Sequence, residues 1–315
     1  MKNETINRTI IMKYRIIFFG TPLFSTPFLK ALIDNVDFDV VGVITEPDKP
    51  RGRGQKFKQT AVADYLSKLQ ITNNKSQTNS NFQIPIFKPK KVTDLKSQIS
   101  NLQPDVAVVV AYGQIIPEKI LKIPKYGSIN VHPSDLPKYR GPSPIQSALL
   151  NGDDKTAISI MKMDEKMDHG PILDKMTINI DSDDDYFSLE KKITDTGPEF
   201  LLETLNKYIS GNIKPKTQDH KKATFCKLID KKDGLIDWKK SPSEIHNKIK
   251  AYVAWPKAFT ILSNNKRLIF LKTKLKSGKL NPIMVQLEGK KSVSWNDFLN
   301  GHKNLLNKKI VEKTF

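Results

Sequence analysis

Cysteine is almost missing: Cys226 is the only one in 315 residues. A single thiol excludes an internal disulfide framework and fits a reducing compartment. One cysteine and five scattered histidines also exclude a Cys-rich zinc site at any usual spacing, so no metal is expected. Long apolar runs are missing as well. The longest, residues 106–112, is far too short to cross a bilayer, and the polar start over residues 1–8 does not read as a secretory signal. The resulting expectation is a cytoplasmic protein with no membrane partner. Glycine-rich phosphate loops are absent: no pattern ends in Gly-Lys-Ser/Thr, and there is no Gly-x-Ser-x-Gly turn. A dinucleotide fingerprint counted from Gly20 would fall on Pro22 and Ser25. Proline at the second position removes a backbone N–H and blocks close approach to a pyrophosphate, which argues against a nicotinamide dehydrogenase.

What the chain has in excess is lysine, and the excess is uneven. The formal charge is +19. Residues 1–200 carry 27 basic and 24 acidic side chains, whereas residues 201–315 carry 25 basic and 9 acidic, a net of +16. A basic module joined to a nearly neutral one suggests a polyanionic partner, nucleic acid first. Only six of the basic residues are arginine, and Asn and Ile are plentiful, so an AT-rich genome would raise lysine everywhere. Such drift does not account for the difference between the two parts.

The apolar pattern alternates between strands and helices. Residues 14–19 read as a buried strand ended by Gly20, with Thr21 capping the next helix and Pro22 in its first turn. Further strands are expected at residues 40–45, 84–86, 106–110, 128–131, 157–163 and 171–180, with helices over 60–69, 92–102, 116–121 and from about 186 to Ile209. This is the pattern of β-α-β units around a mostly parallel sheet. Asp181, Asp183, Asp184 and Asp185 read as a solvated helix start rather than a cation site. Past a Lys-rich stretch the pattern changes to short strands around one helix. That helix begins at Ser241 with Pro242 and Glu244, a capping box. Residues 259–262, 267–271 and 283–287 suggest a small antiparallel barrel. The expected organisation is a loose extension at 1–11, with Met12 an equal candidate start, a catalytic domain at 12–210, a linker at 211–222 and a basic domain at 223–315, in a monomer.

Three loops carry candidate chemistry. The stretch from Glu46 to Lys58 leaves the carboxyl end of a sheet strand. Arg51, Arg53, Lys56 and Lys58 surround Phe57 on glycine-bracketed backbone, which suits phosphate contact plus base stacking, and equally a solvated loop. Asn130 and His132 lie two apart at a strand end and so point to the same side, followed by Pro133 and Pro137. An amide donor beside an imidazole can stabilise an oxyanion and move a proton. Asp168 and His169 precede Gly170, and Asp168 can orient His132 if the fold brings them together.

These residues together resemble the methionyl-tRNA formyltransferase family, from about Tyr14 to about Lys309. The likeness lies in Ile16 to Pro22, the Arg51-Gly-Arg53-Gly loop, Val108 to Gly113, Asn130 to Pro137, Arg140 to Gln146, Met161 to Asp164, Asp168 to Gly170, Ile236 to Trp238, and Trp255-Pro256. The resemblance implies a Rossmann-like, mostly parallel α/β domain followed by a small β-barrel of the OB type. It implies a catalytic triad of Asn130, His132 and Asp168, and a folate-binding signature at Ser134, Asp135, Leu136 and Pro137. The family pattern carries Gly and Leu where this chain has Pro133 and Asp135. It further implies 10-formyltetrahydrofolate as co-substrate, methionyl initiator tRNA as partner, and a tRNA contact at Arg53. Two alternatives stay open: a sister formyltransferase acting on a nucleotide or amino-sugar amine, and a non-catalytic RNA-binding protein. The first leaves the +16 module without a purpose, and the intact Asn130, His132 and Asp168 count against the second.

Overall fold

The computed structural model describes residues 13–51, 56–75, 83–306, 310 and 312. The expected extension at 1–11 and the alternative start at Met12 lie outside the described residues. Strand β1 (Tyr14–Gly20) carries Ile16, Ile17, Phe18 and Phe19 in one run, all removed from solvent. Such a run belongs inside a sheet covered on both faces. In chain order there follow α1 (Thr26–Asp34), β2 (Phe38–Ile44), β3 (Lys49–Arg51), β4 (Lys56–Lys58), α2 (Ala61–Lys75), β5 (Ile86–Phe87), α3 (Lys96–Asn101), β6 (Val106–Val110) and α4 (Glu118–Leu121). Then come β7 (Ser128–His132), α5 (Pro144–Asn151), β8 (Lys155–Lys162), β9 (Ile172–Asn179) and α6 (Tyr186–Ile209). The seven-stranded sheet has the order β5-β2-β1-β6-β7-β8-β9. Its first five strands are parallel, and β8 and β9 add antiparallel. The order reverses between β1 and β6, so a crevice opens at their carboxyl ends, where open sheets of this type build sites.

Two local expectations are corrected. Thr21 does not cap the first helix. A 3-10 turn at Leu23–Ser25 intervenes and α1 begins at Thr26, with Pro27 in its first turn, where a missing N–H costs nothing. Ser25 instead donates its hydroxyl to the Val110 carbonyl at 2.6 Å, tying the start of α1 to the end of β6. The basic stretch after β2 is also more than a loop, since β3 and β4 pair antiparallel with Pro50 opposite Phe57. The acidic stretch before α6 is a helix start as expected, although Asp184 is buried rather than solvated. Asp185 caps the helix through the Phe187 and Ser188 N–H groups, and Asp184 takes Lys192.

The second half holds α7 (Pro242–Tyr252), β10 (Ala258–Ile261), β11 (Arg267–Lys276), β12 (Lys279–Leu287), β13 (Ser292–Ser294) and α8 (Trp295–His302). The four strands form one antiparallel sheet in chain order, β10 and β13 at its ends. Trp238, Phe270, Trp295 and Phe298 form a chain of ring contacts through its core, edge-to-face between Trp238 and Phe270 and stacked between Trp295 and Phe298. The capping box read from the sequence is present: the Ser241 hydroxyl accepts from the Glu244 N–H at 3.2 Å, and the Glu244 carboxylate accepts from the Ser241 N–H at 2.9 Å. Helix α7 serves two cores. Ile245 and Ile249 pack with the C-terminal sheet, while Ala251 and Tyr252 belong to the core of the large sheet. Among the described residues no helix is long and apolar enough to cross a membrane.

His246 sits buried on α7 with Nδ1 2.8 Å from the Thr273 hydroxyl. Burial, helped by nearby Lys250, pushes its imidazole down to about 4. In the unfolded chain the ring takes its proton near ~6.5. The unfolded state therefore binds more protons below that value, and the stability contributed by neutral His246 is complete above pH ~6.5 and lost as the pH falls toward 4. Thermal melts across this window should show a steeper fall in Tm for the wild type than for His246→Gln. Parallel curves would refute the assignment.

Candidate active site

Strand β7 lies between β6 and β8 with all five of its residues buried, and Asn130 and His132 project from its carboxyl end. The His132 Nε2–H donates to the Tyr139 carbonyl at 2.9 Å. A carbonyl only accepts, so this contact assigns the proton to Nε2 and leaves Nδ1 facing the Asp168 carboxylate at 3.7 Å. Asp168 Oδ1 also lies 3.5 Å from the Asn130 amide nitrogen. The structure thus brings together three residues that the sequence spreads over 39 positions. These are loose approaches, as catalytic contacts often are before substrate tightens them.

The carboxylate is held from its other oxygen. The Gly141 N–H donates to Asp168 Oδ2 at 2.7 Å. Gly141 adopts φ +117°, and a Cβ there would stand 2.5 Å from the Cys226 carbonyl oxygen. Only glycine lets the chain from Cys226 press this close while turning its N–H toward Asp168. Gly170 is restricted by space, since a Cβ there would run into the Lys162 backbone carbonyl. Asp168 itself has φ +48°, unusual for a residue with a side chain. Beside the turn, the Arg140 guanidinium is buried and touches His220 Nδ1 at 2.9 Å, and His220 stacks on His169 with ring centroids 4.0 Å apart. His169 in turn meets the Asp164 carboxylate at 2.6 Å. Burial lowers the Arg140 pKa, opposed by nearby Asp168 and Asp164.

A cavity of about 670 Å³ opens beside the triad. Asn130, His132 and Asp168 line it together with Phe24, Tyr112, Ile116, Ile145 and Met161. Its size lies in the range of small-molecule sites, and its walls are mostly apolar, with a few convergent polar groups. Tyr112 is one of these. Its buried hydroxyl has no hydrogen-bond partner among the described residues, and burial plus Glu46 push its pKa up, so it remains a donor.

The other expected site residues fall elsewhere. Ser134, Asp135, Leu136 and Pro137 do not line this cavity. Ser134 donates to the Lys138 carbonyl at 2.6 Å, and its own carbonyl accepts from Ser159. Leu136 is fully buried, and Asp135 turns outward to Lys175 at 2.6 Å. The Asp135 charge therefore lies outside the cavity. Arg53 lies outside the described residues. Arg51 and Lys56 are placed only as paired backbone in the β3–β4 ribbon, whereas Lys58 and Phe57 are exposed on it. Sequence reading missed Tyr139 and Arg140 as parts of the site. Arg140 falls in the matching stretch from Arg140 to Gln146, but the parts they play are not local, because Tyr139 acts through its carbonyl and Arg140 through partners some 80 positions away.

An apolar cavity at a topological switch point, with an amide, an imidazole and a carboxylate at one end, is the arrangement of an acyl-type transferase. Residues 12–205 match the family model described as formyl transferase, and residues 228–283 match its C-terminal domain. The chain belongs to the formyl transferase family. A methionyl-tRNA formyltransferase from Sulfurihydrogenibium is 44% identical over 248 residues, covering 78% of this chain and 75% of that protein. Among solved structures, the methionyl-tRNA formyltransferase from Clostridium thermocellum superposes with a TM-score of 0.54 at 18% identity, covering 90% of this chain and 100% of that one. HypX from Aquifex aeolicus in complex with tetrahydrofolic acid gives 0.60 at 14% identity, covering 91% of this chain and 47% of that one.

The Gly141 geometry is directly testable. Gly141→Ala must either move the Cys226 backbone or swing the N–H away from Asp168. The expected cost is about 1–3 kcal/mol of stability from the strained backbone, together with a loss of turnover larger than the loss of fold. Chemical denaturation and steady-state rates on the same sample check this, and unchanged turnover would contradict it.

Proposed function

We propose that this protein transfers the formyl group of 10-formyltetrahydrofolate to the α-amino group of the methionine carried by initiator tRNA. The observation that carries the reading is the convergence of Asn130, His132 and Asp168 at one end of the apolar cavity. The names of the sequence relatives support the choice of acceptor. The cavity fits a planar heteroaromatic donor in volume and in lining, and the unspent Tyr112 hydroxyl offers it a hydrogen bond. Bound there, the folate supplies an activated formyl carbon.

The chain's residues then act on three atoms. Asn130 donates its amide N–H to the formyl oxygen as that oxygen gains charge; one such donor is worth ~3–4 kcal/mol of barrier. His132 cannot turn, because its Nε2–H is engaged by Tyr139, so Nδ1 is the nitrogen that handles a proton. Asp168 stabilises the positive charge that appears on the ring when Nδ1 takes the proton of the attacking amine. The same proton is returned to the departing folate nitrogen as its bond to carbon breaks. We assign residues 12–210 to this chemistry, with Ser134 to Pro137 supporting the loop below the donor. Residues 223–315 and the β3–β4 ribbon with Arg51, Arg53, Lys56 and Lys58 are assigned to tRNA. Phe57, 76% exposed between two lysines, suits stacking on an unpaired base.

Formyl incorporation into Met-tRNA, run beside a nucleotide-amine acceptor, tests the reading; activity on the nucleotide alone would refute it. His132→Ala should lower kcat by about 10²–10⁴-fold and leave tRNA affinity nearly unchanged. Binding of tRNA should weaken steeply with added salt, because phosphate contacts release counterions. A flat salt response would mean that the C-terminal lysines do not contact the backbone.

A further inference from the structure

Gln218 lies in the stretch that joins the two halves of the chain. It is only 5% exposed, and all its amide groups are engaged. Oε1 accepts from Arg140 Nε at 3.2 Å and Nη2 at 2.6 Å. Nε2 donates to the Asp168 carbonyl at 2.9 Å and to the Gly170 carbonyl at 2.7 Å. The orientation of the amide is unambiguous, because a guanidinium only donates and a carbonyl only accepts.

We propose that Gln218 is a positioning residue for formyl transfer, holding the 168–170 turn so that the Asp168 carboxylate faces His132 and Asn130. The inference rests on the reading of the triad given above. Asp168 sits at φ +48°, a conformation that costs about 1–3 kcal/mol for a non-glycine residue and persists only when its surroundings hold it. Gly141 holds the side-chain end of the residue. Gln218 holds the backbone end, and among the described residues no other hydrogen-bond donor reaches either carbonyl.

The segment is itself fixed on both sides. Lys216 exchanges two backbone hydrogen bonds with Ile172, each 2.8 Å, at the start of β9. Farther on, the Arg140 N–H donates to the Thr224 carbonyl at 2.9 Å, and the Cys226 N–H donates to the Arg140 carbonyl at 2.8 Å. Gln218 is thus clamped between a pairing to the Asp168 side of the site and a pairing to the Gly141 side. Its grip on Arg140 also keeps that positive charge near Asp168.

The experiment uses the full chain with Gln218→Met, which keeps volume and loses all four hydrogen bonds. Gln218→Glu is the second variant; it retains an acceptor for Arg140 but presents no donor to the two carbonyls. Each is expected to lower kcat by about 10- to 100-fold, as a misplacement of about 1 Å does. The KM values for donor and tRNA should stay within about 2-fold. In an Asp168→Asn background, the same substitutions should cost almost nothing further, since non-additivity is the mark of action through one residue. Wild-type kcat in either folded variant, or an equal loss with and without Asp168, overturns the proposal. A substrate-free readout separates it from the functional reading: the His132 ring nitrogen resonances should shift in Gln218→Met or Gln218→Glu. Unshifted resonances sink the positioning role whatever the enzyme formylates. A wild type inactive on Met-tRNA, with shifted resonances, sinks the functional reading alone.

Discussion

A carboxylate turned inward beside a buried imidazole loses much of its water, and the fold must replace that water with donors. Here the replacement is a backbone N–H. Gly141 supplies it at 2.7 Å, and it can do so only because its missing side chain leaves room for the Cys226 backbone. Three stretches of chain therefore interlock around one charge: the loop after β7, the turn between β8 and β9, and the segment leading out of α6. None of them would hold its shape alone. The Tyr139 carbonyl, from the first of these, also fixes the proton on His132.

The sheet explains why this happens where it does. Parallel strands β1 and β6 stay paired to their carboxyl ends, but the helices that follow them, α1 and α4, pack into different cores, and the chain turns back antiparallel at β8 and β9. The antiparallel return ends β8 beside the amino end of β7, at Ser128 and Ile129, and the β8–β9 connection folds back from there to bring Asp168 beside Asn130 and His132. A purely parallel continuation would place that connection after a crossover helix. The apolar cavity opens beside these residues, and Asn130, His132 and Asp168 are part of its lining.

Much of this was legible before the fold was known. Short unbroken apolar runs such as Ile16 to Phe19 and the valine-rich Val106 to Val110, rich in β-branched and aromatic residues, announce strands buried on both faces. The Ser241–Glu244 cap was readable because its two hydrogen bonds are local. The pairing of Asn130 with His132 follows from strand alternation. Asp168 needed the family resemblance, because nothing in its own segment distinguishes it from a turn residue. The contacts of Arg140 and Tyr139 and the outward turn of Asp135 toward Lys175 were not legible. They depend on contacts 40 to 80 positions away or on a carbonyl, and neither leaves a trace in residue type. The expected cap at Thr21 failed because two prolines, Pro22 and Pro27, compete for the first turn and the later one starts the helix.

Helix α7 packs into both cores, and residues 216–226 thread along the loop after β7 and the start of β9. The C-terminal half is consequently not an exchangeable cassette. A chimera spliced just after α6 would carry in a foreign stretch that must match both the loop after β7 and the turn after β8. Recombination within such a lineage should tolerate crossovers in the outer C-terminal sheet far better than crossovers at the apparent seam between the halves.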